Sequence, residues 1–300
     1  MLFMVRGIFK KYRCGIRRAE ISSIFTVLQP IVFIALFVFS LLPFNHALAE
    51  TLRLGGSGST TALAKLLAEA YNKKYPQDTV TVSLALGTPG GIKALNAKAL
   101  DIALASRPLN DAERKSGLTS IEFARTPLVM AVANANPLND IGYAHLAKLY
   151  ASPDAIWPDG TRVRLVLRPW DDADTKIVTG FSPEVAKAME TAQARPGALV
   201  AATDEDAINA IQRLPGALGP TTLAQIIADK RPLKALALAG KQPTVEAMRD
   251  GKYPYFKVHL LVTGAEVTPE ARRFIEFVQS AEGARLLAAN GCWVGDFKGK

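Results

Sequence analysis

Downstream of residue 50, short apolar runs alternate with stretches in which apolar positions recur every three or four residues. Leu52-Arg53-Leu54 reads as a strand, and Leu63, Leu66, Leu67 and Ala70 fall on one face of a helix predicted from about Thr61 to Lys74, which Pro76 ends. Thr79 to Leu84 alternates as a strand. A turn at Gly87-Thr88-Pro89-Gly90-Gly91 leads into a helix carrying Ile92, Leu95 and Leu100, and Asp101–Ala105 is a third short strand. This βαβαβ order predicts an α/β architecture with a mainly parallel sheet flanked by helices. Phe123 to Asn134 reads as an apolar crossing strand, and the Asn- and Pro-rich stretch after it marks passage into a second lobe. Helices are predicted at about 174–178, 183–192 and 204–213, a strand at Val258–Val262, and a long final helix from Pro269 to Ala289 interrupted near Gly283.

The first 49 residues follow a different pattern. Arg6, Lys10, Lys11, Arg13, Arg17 and Arg18 precede the apolar run Ile31–Leu42, and Ala47-Leu48-Ala49 follows. A basic start, a short apolar core and an A-x-A exit describe a secretory signal peptide, with cleavage expected before Glu50. The run is shorter than a membrane-spanning helix needs, and Pro30 and Pro43 bracket it, so an uncleaved tether is the weaker reading. Six basic residues and one acid leave with the leader, lowering the net charge from +9 to +4. That mild, interspersed charge comes with no nucleic-acid-binding module, so nucleic acid is not an expected partner. Cys14 leaves with the leader, and Cys292 stands alone, expected to be buried and inert.

Candidate chemistry gathers at strand ends. Gly55-Gly56-Ser57-Gly58-Ser59-Thr60 lies between a strand and a helix, where free N–H groups and the helix dipole favour an anion. It also reads as a glycine turn in which Ser59 or Thr60 only caps the helix. The segment lacks the Gly-Lys-Ser/Thr of a P-loop, the third glycine of a dinucleotide fingerprint, and the glycine a nucleophile elbow needs where Ser59 stands. The Gly87–Gly91 loop and Ser106-Arg107-Pro108 place further donors at two more strand ends, where ligands of open α/β sheets bind. His145 and His259 have no metal-ligand spacing around them, and Trp157, Trp170 and Trp293 read as core or cleft-wall residues. No nucleophile with an adjacent base is evident, so neither catalytic residues, metal nor cofactor are expected.

Taken together, Gly56-Ser57-Gly58-Ser59-Thr60, Gly90-Gly91-Ile92-Lys93 with Asp101-Ile102-Ala103, and Ala105-Ser106-Arg107-Pro108-Leu109 resemble the ligand loops of periplasmic phosphate-binding proteins of ABC transporters. Gln212 to Gly219 resembles that family's return crossing between lobes. The stretches Asp250–Pro254 and Ala271–Ser280 are similar to its closing strand and helix. The resemblance implies a two-lobed type II periplasmic binding protein fold, with lobe 1 at 50–128 and 222–300 and lobe 2 at 129–221. It also implies a non-enzymatic monomer in the periplasm that captures phosphate or a related oxyanion for an inner-membrane ABC permease. Carried over by position, the first-lobe ligands are Gly58, Ser59 and Thr60 with their amides, Thr88, and Ser106 or Arg107. Arg168 would serve from the second lobe, its planar fork suited to an oxyanion.

The sequence departs from the family twice. Where a Ser-Gly-Thr loop usually follows the second-lobe arginine, this chain has Arg168-Pro169-Trp170-Asp171-Asp172-Ala173-Asp174-Thr175; where some members place an aspartate after the third strand, it has Ser106-Arg107. Like charges 4 Å apart cost about 4 kcal/mol at an effective dielectric of 20. Asp172 or Asp174 therefore either caps the next helix and pairs with Arg168, or faces the cleft and repels an anion, or accepts a ligand proton. A sensor or interaction domain with a different or lost ligand is the alternative function.

Overall fold

The computed structural model describes residues 51–295 and residue 297, so the leader expected at 1–49 lies outside the described residues. Strands β1 (Thr51–Gly56), β2 (Thr79–Val82) and β3 (Ile102–Ala105) run parallel in the order β2-β1-β3. Helices α1 (Gly58–Lys74) and α2 (Gly87–Asn96) connect them. The segment expected to be a turn, Gly87–Gly91, forms the first turn of α2, where Pro89 loses no intrahelical bond because first-turn N–H groups have none to make. Gly91 is required by packing: a Cβ there would lie 2.7 Å from Gly56 Cα. A short helix, α3 (Asp111–Lys115), follows β3, capped by Asn110 and Glu113 reciprocally.

The crossing strand is longer than the sequence suggests. Strand β4 (Thr119–Ala133) pairs over Thr119–Pro127 with β9 (Phe256–Thr263) and over Leu128–Ala133 with β7 (Ala217–Thr222) and β8 (Leu233–Leu238), all antiparallel. One strand thus belongs to both lobes, and β9 pairs also with β3, closing the first-lobe sheet. In the second lobe, β6 (Arg164–Leu165) lies parallel to β7 and β5 (Asp140–Ile141) parallel to β8. The lobe carries α4 (Tyr143–Ala151), α5 (Ala173–Thr179), α6 (Pro183–Gln193) and α7 (Asp204–Arg213).

Each lobe has its own core. Leu54, Leu63, Leu67, Tyr71, Ile102, Phe274 and Val278 fill the first; Leu128, Met130, Leu146, Tyr150, Trp157, Val185 and Leu218 fill the second. Each such side chain contributes roughly 1.5–3 kcal/mol through removal from water. After residue 222 the chain touches the first lobe but does not stay there. Helix α8 (Leu223–Ala228) places Ala224 in the first core, but Leu236, Leu238 and Tyr253 then pack in the second, with α9 (Val245–Arg249) between them in sequence. The reason is the edge of β4: its second half offers unpaired backbone groups that β8 satisfies. The final helix breaks at Ser280 rather than Gly283, giving α10 (Pro269–Gln279) and α11 (Ala281–Ala289). Ser280 has extended backbone and its Oγ accepts from Gly283 N, so it ends one helix and caps the next.

No helix among the described residues is long and apolar enough to cross a membrane.

Candidate functional site

The carboxyl ends of β1 and β3 and the start of α2 meet at a cavity of about 190 Å³ between the lobes. From the first lobe its walls include Ser57, Thr88, Ser106 and Arg107; from the second, Pro169, Asp171, Asp172 and Asp204. Thr88 Oγ1 accepts from the Ser106 amide at 3.1 Å, fixing the two hydroxyls side by side. Ser57 sits before α1 with no side-chain cap bond, so the first N–H groups of that helix are not satisfied by its hydroxyl.

Ser59 and Thr60 do not line this cavity and are buried beside it. Ser59 is buried, its Oγ 3.2 Å from Ser57 Oγ. Thr60 Oγ1 donates to the Ala105 carbonyl at 3.1 Å. Its one hydrogen is then used, so the 2.9 Å contact with His259 Nδ1 has the imidazole N–H donating. Burial and the neighbouring Lys257 lower the His259 pKa to about 3, leaving the ring neutral. Arg107 lines the cavity, but its guanidinium is held bidentately by Glu113, both N–O distances being 2.8 Å.

Arg168 is fully buried and turned into its own lobe. It donates to the Ala201 carbonyl at 2.6 Å and to Asp172 at 2.9 Å, and its Nε lies 3.5 Å from Asp174. The three-way question about the aspartates has a divided answer. Asp172 both caps α5, accepting from the Asp174 amide at 2.8 Å, and pairs with Arg168, while still bordering the cavity. Asp174 does not cap: it is buried 2.7 Å from Lys257 Nζ. Asp171 is exposed at the rim, beside the exposed Trp170.

Sequence reasoning did not single out Asp204 or Lys257, and it quoted Ser57 only as part of its loop, not among the expected ligands. Lys257 Nζ reaches Asp204 Oδ1 at 2.6 Å, and Ser57 Oγ donates to Asp204 Oδ2 at 3.0 Å. Burial opposes all three charges, but each is outweighed or not by its neighbours. Asp204 is held far below the usual carboxylate range by Lys257 and Arg168, and Lys257 is raised by Asp174 and Asp204. Burial of Asp174 outweighs Lys257 and lifts its pKa to about 6. The signal in the sequence was the alternation in Phe256-Lys257-Val258-His259: two polar residues on one face of an otherwise apolar strand. Both are buried, and both point at the start of α1 through Ser57-linked Asp204 and Thr60.

Comparison with known proteins agrees with this architecture. The PBP superfamily domain matches residues 45–282. Protein SphX of Synechococcus elongatus is 28% identical over 273 residues, covering 84% of this chain and 79% of the relative. The phosphate-binding protein PstS of Bacillus subtilis is 24% identical over 245 residues, covering 77% and 76%. Among solved structures, an ABC transporter substrate-binding protein with bound phosphate from Clostridium perfringens superposes with a TM-score of 0.69 at 20% identity, covering 82% of this chain and all (100%) of its own. An ABC-type phosphate transport receptor from Vibrio cholerae gives a TM-score of 0.57 at 21% identity, covering 81% and 100%.

Proposed function

This chain belongs to the PBP superfamily, and from that premise we propose that it is an extracytoplasmic solute-binding protein that takes a small oxyanion, phosphate foremost, into the cleft between its lobes and presents it to an inner-membrane ABC permease. The observation that carries the reading is the convergence of Ser57, Thr88 and Ser106, each at a strand end or helix start, on one interlobe cavity. Hydroxyls and helix-start amides suit an oxyanion because they donate without adding a counter-charge that must be desolvated. The names of the relatives, SphX aside, point to phosphate, and the leader pattern at 1–49 supports export. Ligand capture would be completed by hinge closure about the segments that join the lobes, among them β4.

A second reading is favoured by a specific feature: Arg107 in the cavity wall and Lys257 and Arg168 behind it already have carboxylate partners, Glu113 for the first and Asp172, Asp174 and Asp204 for the other two. On that reading the domain is a sensor or interaction module whose ligand differs or has been lost. Isothermal titration of the secreted protein with phosphate, sulfate, tungstate and a phosphate monoester separates the two. The oxyanion reading expects saturable binding of phosphate at one site; heat for none of the four would replace it by the second.

A further inference from the structure

Helix α7 begins at Asp204 and is capped by Thr203 and Asp206 in a reciprocal pair, so the Asp204 carboxylate has no part in the cap. It reaches instead across the cleft. One oxygen accepts from Ser57 and the other from Lys257. All three residues are at most 5% exposed. Ser57 immediately precedes α1, a helix of 17 residues whose positive end and unsatisfied amides lie there. The carboxylate therefore meets what a bound oxyanion would meet: a hydroxyl, a helix N-terminus and an ammonium group. Gly58 makes the approach feasible, since a Cβ there would lie 3.0 Å from both Asp204 Cβ and the Glu205 amide nitrogen.

Charge points the same way. Lys257 and Arg168 face Asp172, Asp174 and Asp204, two cations against three carboxylates, while Arg107 is taken up by Glu113. His259, behind Lys257, is neutral. With Asp204 in place the cluster carries one carboxylate in excess and repels an added anion; with Asp204 withdrawn, Lys257 and Arg168 balance Asp172 and Asp174 and that repulsion is removed.

We propose that Asp204 is a built-in surrogate for the solute, a specificity-setting carboxylate that takes Ser57 and Lys257 as an oxyanion would and must release Ser57 before a small oxyanion can use that hydroxyl. The proposal rests on the oxyanion reading above. Its consequence is an inverted clamp. In an ordinary two-lobed binding protein the ligand supplies the contacts that draw the lobes together. Here a side chain of the protein supplies such contacts itself, and the solute competes with a tethered group at high local concentration.

Titration of inorganic phosphate into wild type and Asp204→Asn tests this. Asn keeps the size and can still accept from Ser57, but it no longer competes as an anion, so phosphate should bind the variant at least about tenfold more tightly, as removal of a competing closed state requires. Equal or weaker binding by the variant, with wild type binding normally, would overturn the surrogate role and leave the oxyanion reading standing. Binding by neither protein would overturn both. Should the variant fail to fold, solution scattering of wild type decides: saturating phosphate should leave the radius of gyration unchanged or raise it, whereas compaction would show an ordinary clamp and end the proposal.

Discussion

The two walls of the cleft are built from different chemistry. The first-lobe wall is neutral, made of Ser57, Thr88, Ser106 and the starts of α1 and α2, and its one arginine is bound to Glu113. The second-lobe wall is charged: Asp171, Asp172 and Asp204 border the cavity, and the buried Arg168, Asp174 and Lys257 stand behind them. Lys257 itself comes from β9, in register with Thr126 of the first-lobe sheet, so the ion cluster joins the lobes. A wall of hydroxyls and amides orients any oxyanion. A wall that carries its own counter-ions decides which anion enters and at what cost.

The largest break in this comparison is Lys257→Met. It leaves Asp174 and Asp204 buried without their shared cation, and loss of one partner from a buried cluster costs about 3–5 kcal/mol. Urea unfolding should show that loss; a change below about 1 kcal/mol would mean the carboxylates find water instead.

Asp174 gives the next largest effect, and its sign follows from linkage. Its folded pKa of about 6 exceeds the ordinary carboxylate value. Its contribution to stability is thus full below about pH 4 and is lost as pH rises through about 6, by up to about 3 kcal/mol. Thermal unfolding between pH 4 and 7 should show that decline, and Asp174→Asn should flatten it. An unchanged slope in the variant would assign the titration elsewhere.

Smaller changes sharpen the first-lobe wall. Glu113→Gln releases the Arg107 guanidinium and should tighten phosphate binding by about 1.5 kcal/mol, the low end for a hydrogen bond to a charged group, with stability altered by at most about 1 kcal/mol. Unaltered affinity would remove Arg107 from the binding wall. Thr88→Ala should weaken phosphate by about 1 kcal/mol, the worth of one neutral hydrogen bond; titration isotherms that overlay wild type would show that its hydroxyl serves only Ser106.

The neutral wall was the legible one. Gly55–Thr60, Gly87–Gly91 and Ser106-Arg107 each combine glycine or hydroxyl residues with a strand-to-helix junction, a local pattern that a sequence displays directly. The charged wall was legible only where it is local: Asp172 capping its helix and pairing with Arg168 four residues away was among the readings, but Asp204 and Lys257 join it only through tertiary structure. Ser57 and Asp204 lie 147 positions apart, and an aspartate in the first turn of a helix already has a sufficient local reason to be there. Arg107 was visible as a cation near the site, but its pairing with Glu113 depends on α3, too short to read from periodicity. The same limit explains the lobe boundary: whether Leu233–Leu238 belongs to one core or the other depends on which edge of β4 is unfilled.

The most direct test of the account is the position of phosphate in crystals grown at saturating phosphate. The account predicts a single tetrahedral anion bounded by Ser57, Thr88 and Ser106, on the amides that open α1, with the Asp204 carboxylate withdrawn from Ser57. Phosphate bound elsewhere, or absent with Asp204 still bonded to Ser57 and Lys257, would contradict it.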